Sequence, residues 1–272
     1  MRSALVIFAL VLLLLTGCGS NPADQGKATL TIQTVVSGFA SASSIDSVGL
    51  RVSGDDFDPI LMATEFVDGE VVFQLELPYG TDRLFEMWAS SEGTVLFAGD
   101  TTTDVTAGAA TKVDVFLEPQ VTMMRVAPAF REIEISGQDT LDIMLHLVDS
   151  VFALAFTVEY DPEVISIAYD TFAVKRGDFF DDSAIFFHHR DPATPGQRSF
   201  SLTLKGDGTA QGVSGTGTLV RLIFTALVPG RTTIDFLDFA DQRPIMINWR
   251  GESLPRTGEL YIEPGEVQVI EQ

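Results

Sequence analysis

Cysteine is nearly absent from this sequence: among 272 residues there is one, at position 18. A single thiol excludes an internal disulfide framework and a cysteine-based zinc site. Basic residues are scarce too, 17 Lys and Arg against 38 Asp and Glu, for a net charge of −21. That imbalance argues against nucleic acid as a partner, because binding it depends on clustered cations that displace counterions from phosphates. It disfavours an anionic membrane surface for the same reason. Long helical periodicity is also missing: from Lys27 onward no stretch keeps apolar residues at i, i+3, i+4 and i+7 over three turns. What is abundant is apolar residues, 46% of the chain, which excludes wholesale disorder. Twenty Phe against two Trp and four Tyr point to cores filled by phenylalanine.

The N-terminus has the layout of an export signal. Arg2 precedes an apolar run, Ala4–Leu15, too short for a transmembrane helix but suited to a secretory h-region. Leu15-Thr16-Gly17-Cys18 behind it resembles the bacterial lipobox. The resemblance implies a signal peptide over 1–17 and a diacylglycerol on Cys18, with two or three acyl chains giving a stable membrane anchor. Gly19 follows the cysteine where an inner-membrane retention signal would have Asp, so the expected address is the cell envelope, preferably the outer membrane. Residues 18–26 then read as a short flexible tether.

The remainder is an all-β sequence in two parts. Over 27–118, period-2 alternation recurs in Leu30/Ile32, Val48/Leu50/Val52, Val71/Phe73/Leu75/Leu77, Phe85/Met87/Ala89 and Val113/Val115/Leu117. Turn signals separate these runs at Ser53-Gly54-Asp55, Asp68-Gly69, Pro78–Asp82, Glu92-Gly93 and Ala107-Gly108. About seven short strands are the pattern of an immunoglobulin-like or transthyretin-like sandwich. A boundary is expected at Glu118-Pro119-Gln120. Over 119–272, strands are expected at Phe152–Tyr160, Phe200–Lys205, Thr218–Ala226 and Glu266–Ile270, with a Gly-rich connection from Gly206 to Gly217. Roughly nine strands in this half predict a sandwich of jelly-roll type.

Several segments of the second half, taken in order, carry a family resemblance. Met124–Pro128 leads to Ser136-Gly137-Gln138-Asp139-Thr140-Leu141-Asp142-Ile143. Phe156-Thr157-Val158-Glu159-Tyr160-Asp161-Pro162-Glu163-Val164-Ile165 follows, then Arg176-Gly177-Asp178-Phe179-Phe180, then Gly217–Phe224 with Pro229-Gly230 behind it. This stretch, about 121–270, resembles a cohesin domain, the receptor module that grips dockerins in cellulose-degrading assemblies and related non-cellulosomal systems. The resemblance implies a nine-stranded cohesin-like jelly roll and a partner bearing a dockerin. It also implies calcium on that partner rather than in this chain, and a binding surface on one flat sheet face. Alternation assigns Ala153, Ala155 and Thr157 to the outside of one strand, Ser201, Thr203 and Lys205 to a second, and Arg221, Ile223 and Thr225 to a third. Many cellulosomal cohesins carry polar Asn or Asp where Ala153 and Ala155 stand, so a divergent partner is expected.

Nothing in the sequence supports an enzyme. His146 falls on the polar phase of an alternating strand, as a surface or pairing residue. His188 and His189 are adjacent, so on a strand they face opposite ways and cannot share a metal. No Gly-x-Ser-x-Gly, Gly-rich phosphate loop or His-Glu-x-x-His is present. Asp178/Asp181/Asp182 and Asp55/Asp56/Asp58 lack EF-hand spacing and read as solvated loop charge. Trp88 and Trp249 stand alone where a sugar-binding platform lines up several aromatics, and Trp249 reads as a partly buried core residue. The sequence therefore predicts no catalytic residue, no metal and no cofactor. It predicts a lipid-anchored envelope protein that captures dockerin-bearing proteins, linked to polysaccharide breakdown. A carbohydrate-binding module and a structural spacer of the envelope are the two alternatives.

Overall fold

The computed structural model describes residues 27–34, 45–66, 71–106, 113–168, 172–182, 184–206, 211–237, 244–255 and 260–271. The leader 1–17, Cys18, the tether 18–26 and the turn signals Asp68-Gly69 and Ala107-Gly108 lie outside these residues. The described residues are all-β, with no helix among them.

In the first half a five-stranded sheet runs in the order β3 (Phe57–Glu65), β2 (Ser47–Gly54), β5 (Gly80–Ser91), β6 (Thr94–Val105), β7 (Glu118–Pro119). A two-stranded sheet of β1 (Lys27–Thr34) and β4 (Val71–Pro78) accompanies it. The alternating residues do what their period demands: Val48, Leu50, Val52, Phe73, Leu77, Phe85, Met87 and Ala89 are buried in one core. Pro59 lies in β3, an edge strand, where a missing N–H leaves no ladder bond unmade. Val113, Val115 and Leu117 keep their inward phase, but the predicted strand is not there; only Glu118 and Pro119 pair with β6. The backbone carbonyl of Phe116 occupies the space where a side chain at Gly99 would be, so this segment packs against β6 instead of extending its ladder.

The second half is a sandwich of two larger sheets. One has the order β12 (Ile165–Ile167), β16 (Val213–Ala226), β10 (Gln138–Val151), β8 (Met123–Ala127), β19 (Tyr261–Glu263), with β13 (Val174–Arg176) also on β16. The other has the order β14 (Ile185–His189), β15 (Gln197–Thr203), β11 (Ala153–Glu159), β17 (Gly230–Phe236), β20 (Gly265–Ile270), β9 (Phe130–Glu134), with β18 (Ile245–Ile247) on β11. That makes thirteen strands, β8 to β20, against the nine expected. Two of the additions arise where a continuous run crosses between sheets at a proline: Pro128 separates β8 from β9, and Pro264 separates β19 from β20. Between the sheets the core is phenylalanine-rich, with the Phe156 ring 5.1 Å from Phe200 and 6.1 Å from Phe236. The expected Gly-rich connection ends earlier than predicted, because β16 already begins at Val213. Gly215 takes a φ of 115°, whereas Gly217 lies in the strand without positive φ, close against Phe179.

Three residues, Gln120, Val121 and Thr122, separate β7 from β8, yet the halves are not loosely joined. Met123 opens β8 and is fully buried in the core of the first sandwich, where Tyr261 of β19 also packs. The Thr122 carbonyl accepts a hydrogen bond from the Tyr261 amide (3.0 Å), and the Thr122 hydroxyl donates to the Leu147 carbonyl (2.9 Å).

Candidate protein-binding face

The outer surface of the β14–β15–β11–β18 region is built by cross-strand register. Leu154, Phe156 and Val158 point into the core, which leaves Ala153, Ala155 and Thr157 outward. On β15 the inward residues are Arg198, Phe200 and Leu202, so Ser199, Ser201 and Thr203 look out. Pairing aligns them in rows: Ile185–Thr203–Ala153–Ile247, then Phe187–Ser201–Ala155–Ile245, then His189–Ser199–Thr157. The third row is tied by a 2.9 Å hydrogen bond between the hydroxyls of Thr157 and Ser199. The result is a floor of small side chains two strands wide, bordered on one side by Ile185 and Phe187 and on the other by Ile245 and Ile247. Phe187 is 65% exposed and Ile245 52%. A floor that lacks bulk between two apolar rails has the shape that receives an amphipathic helix. Lys205 lies just beyond the end of β15 and is exposed.

The other three predicted contact residues are elsewhere. Arg221, Ile223 and Thr225 belong to β16, which sits in the opposite sheet, so they cannot share a surface with Ala155 and Ser201. Alternation identifies which residues of a strand point outward; it carries no information about which of two sheets the strand joins. On that opposite sheet the outer surface is charged: Arg221 holds Asp142 in two hydrogen bonds of 2.8 Å, and Lys175 is the register partner of Arg221.

The rails were not visible to sequence reasoning. Ile-Met-Ile of β18 is apolar throughout, so it offers no polar phase to mark the outside. Trp249, two residues beyond Ile247, also corrects the expectation of a core residue, being 51% exposed. Its turn is fixed by the buried Asn248, whose Oδ1 accepts the amides of Arg250 (2.9 Å) and Glu252 (3.0 Å) while its Nδ2 donates to Glu252 (2.7 Å). The Arg250 guanidinium lies 4.8 Å from the Trp249 ring centre.

Other candidates resolve into structural roles. His146 is buried, not on the surface, and accepts a hydrogen bond from Arg125 Nε (3.1 Å). The register of β10 shifts between Leu145 and Val148, and Leu147 takes a φ of 52°, so the simple alternation breaks there. Burial, with the Arg125 charge beside it, pushes the His146 imidazole down to about 4. The Asp55/Asp56/Asp58 run is not all solvated loop charge. Asp56 accepts two hydrogen bonds from the buried Arg83, which also donates to the carbonyls of Tyr79 (2.7 Å) and Pro78 (3.3 Å). Those hydrogen bonds hold the Asp56 carboxyl below its ordinary range. In the second acidic run, Asp178 accepts the Thr218 amide (2.9 Å) and Asp182 pairs with Arg176. Among the described residues no group of three or more His, Cys, Asp or Glu is placed to hold a metal ion.

No family model matches this chain, and no curated protein matches it. Its structure is similar to a non-cellulosomal cohesin from the archaeon Archaeoglobus fulgidus, at 14% identity and a TM-score of 0.42, over 55% of this chain and 91% of that one. It is similar to a type II cohesin domain from the cellulosome of Acetivibrio cellulolyticus, at 16% identity and a TM-score of 0.46, over 54% and 94% of the two chains. A third similar structure is a cohesin of the same organism solved in complex with a dockerin, at 12% identity and a TM-score of 0.44, over 55% and 99%.

Proposed function

We propose that this chain is a lipid-anchored receptor of the cell envelope, whose second sandwich is a cohesin-like module that captures a dockerin-bearing protein by receiving a helix on the Ala155 face. In this reading 1–17 is removed, Cys18 carries the lipid, 18–26 is the tether, 27–118 is a spacing sandwich and 119–272 is the receptor. The observation that carries it is the floor of Ala153, Ala155, Thr157, Ser199, Ser201 and Thr203 between the rails of Ile185/Phe187 and Ile245/Ile247. The ordered cohesin-like segments of the sequence support the same reading. Alanines in place of the usual polar contacts point to a partner whose helix presents apolar residues, and an enzyme of polysaccharide breakdown is the class of cargo proposed. The role requires binding without catalysis, and the calcium belongs to the partner.

The test is a pull-down from the source's own secreted and envelope proteins, with the full chain as bait, with and without a calcium chelator. The expected result is a captured protein that carries paired calcium loops and is released by the chelator. Capture of proteins without such loops, or release that ignores the chelator, overturns the dockerin reading. Retention on an insoluble polysaccharide through the second sandwich would replace it with carbohydrate binding, and neither outcome would leave a spacer.

A further inference from the structure

The outer face of the five-stranded sheet in the first sandwich holds an aromatic arrangement with no part in that core. Register places Ala63, Gly49, Trp88 and Ala98 side by side across four strands. Gly49 has no side chain, and the indole of Trp88 fills the space: Nε1, Cε2 and Cζ2 all lie over the position a Cβ would take. Three ring atoms at nearly equal distance from one point outside the ring plane mean that one indole face rests on the Gly49 backbone. Trp88 also lines a cleft of about 820 Å³. Phe116, 81% exposed, stands on the rim of the same cleft. The next row supplies polar groups: Arg51 pairs with Glu86 at 3.1 Å, and Asp100 is the register partner of Glu86.

We propose that this cleft binds a neutral pyranoside chain, with a sugar ring stacked on Trp88. A pyranose has an apolar face of C–H groups and an equator of hydroxyls. Its face matches a flat indole; its hydroxyls match a guanidinium donor and carboxylate acceptors set one row away. An apolar peptide would leave the Arg51–Glu86 pair facing hydrocarbon, which costs the hydration of both ions. The sign of the charge narrows the class further. Glu86 and Asp100 face the cleft with Arg51 alone opposite them, so a uronic-acid polymer meets net repulsion while a neutral or amino sugar does not. The site is separate from the Ala155 face and needs no dockerin.

Calorimetric titration of the full chain with cellohexaose, xylohexaose and chitohexaose, and with a hexamer of galacturonic acid for contrast, tests it. The expected result is saturable binding of at least one neutral hexasaccharide and none of the acidic one. Trp88→Ala should weaken that binding by about tenfold or more. Gly49→Ala should do the same with the tryptophan retained, because the new methyl lifts the indole off the sheet. Circular dichroism establishes that each variant is folded, and Trp88→Ala, which removes no core side chain, serves if Gly49→Ala is not. Silence with all three neutral sugars, binding that survives Trp88→Ala, or equal binding of the acidic hexamer would overturn the proposal.

Discussion

The two sheets of the second sandwich share one core and the same cross-strand geometry, yet their outer surfaces are opposites. On the sheet containing β11 and β15 the outward residues are small and uncharged at the centre, with exposed aromatic and branched apolar residues at the sides. On the sheet containing β10 and β16 the outer surface carries ions, Arg221 with Asp142 and Lys175 beside them, while Arg125 donates to the buried, neutral His146. A surface whose charges already satisfy one another has little to offer an incoming partner. Exposed apolar residues such as Phe187 and Ile245, flanking a strip of small uncharged side chains, gain by being covered. The contrast therefore separates the two outer surfaces by chemistry, one of small uncharged side chains between apolar neighbours and one of paired charges.

Four experiments would break or sharpen that contrast. The largest effect is expected from Ala155→Arg, which stands a charged chain on the floor and should weaken partner capture by at least about a hundredfold. Ile223→Arg on the opposite sheet should leave capture unchanged, and equal losses by surface plasmon resonance would erase the distinction. Second is acid sensitivity, which should belong to the charged sheet. His146 titrates at about 4 in the folded chain against the ordinary imidazole value of 6.5 once unfolded, so the unfolded chain binds the extra proton between those values. Stability should therefore fall as pH drops from 6.5 towards 4, by up to about 3 kcal/mol. Urea melts at pH 7 and pH 4.5 measure it, and His146→Gln should flatten the slope.

Third, Phe187→Ala and Trp249→Ala should each weaken capture by about tenfold, the ordinary cost of removing an aromatic anchor at an interface. Thermal stability should hardly change in either, because both rings are mostly in water. A melting-temperature drop without a binding loss would make these side chains structural. Smallest is Arg221→Ala. An exposed ion pair contributes at most about 0.5–1 kcal/mol, so chemical denaturation should show a shift of that size, and less still in high salt.

How far the sequence could be read follows from what each signal encodes. Strands of mixed polarity such as β2, β5 and β11 were legible, because a polar phase marks the side that faces water. Arg198 shows the limit from the other direction. Its charge marks an outward position, yet it is 1% exposed, donating to the carbonyls of Pro195 and Gln197 and to that of Ile167. Carbonyls from the turn before β15, the start of β15 and the end of β12 supply the compensation, and nothing local to Arg198 announces the last of these. Ile185 to His189 is aromatic or apolar on both phases, so it hides which residues form the rail. Trp88 on Gly49 is a relation between residues far apart in the chain, created only when β2 and β5 pair.

Met123 carries one more consequence. By chain order it begins the second sandwich, and by packing it belongs to the first. A pull applied between the two sandwiches therefore does not run out through slack chain at the boundary. It enters β8, meets a side chain locked in the neighbouring core, and is shared with Tyr261 on the parallel strand beside it. The connection works as a splice in a rope does, overlapping the two lengths so that tension drawn on either is borne by both.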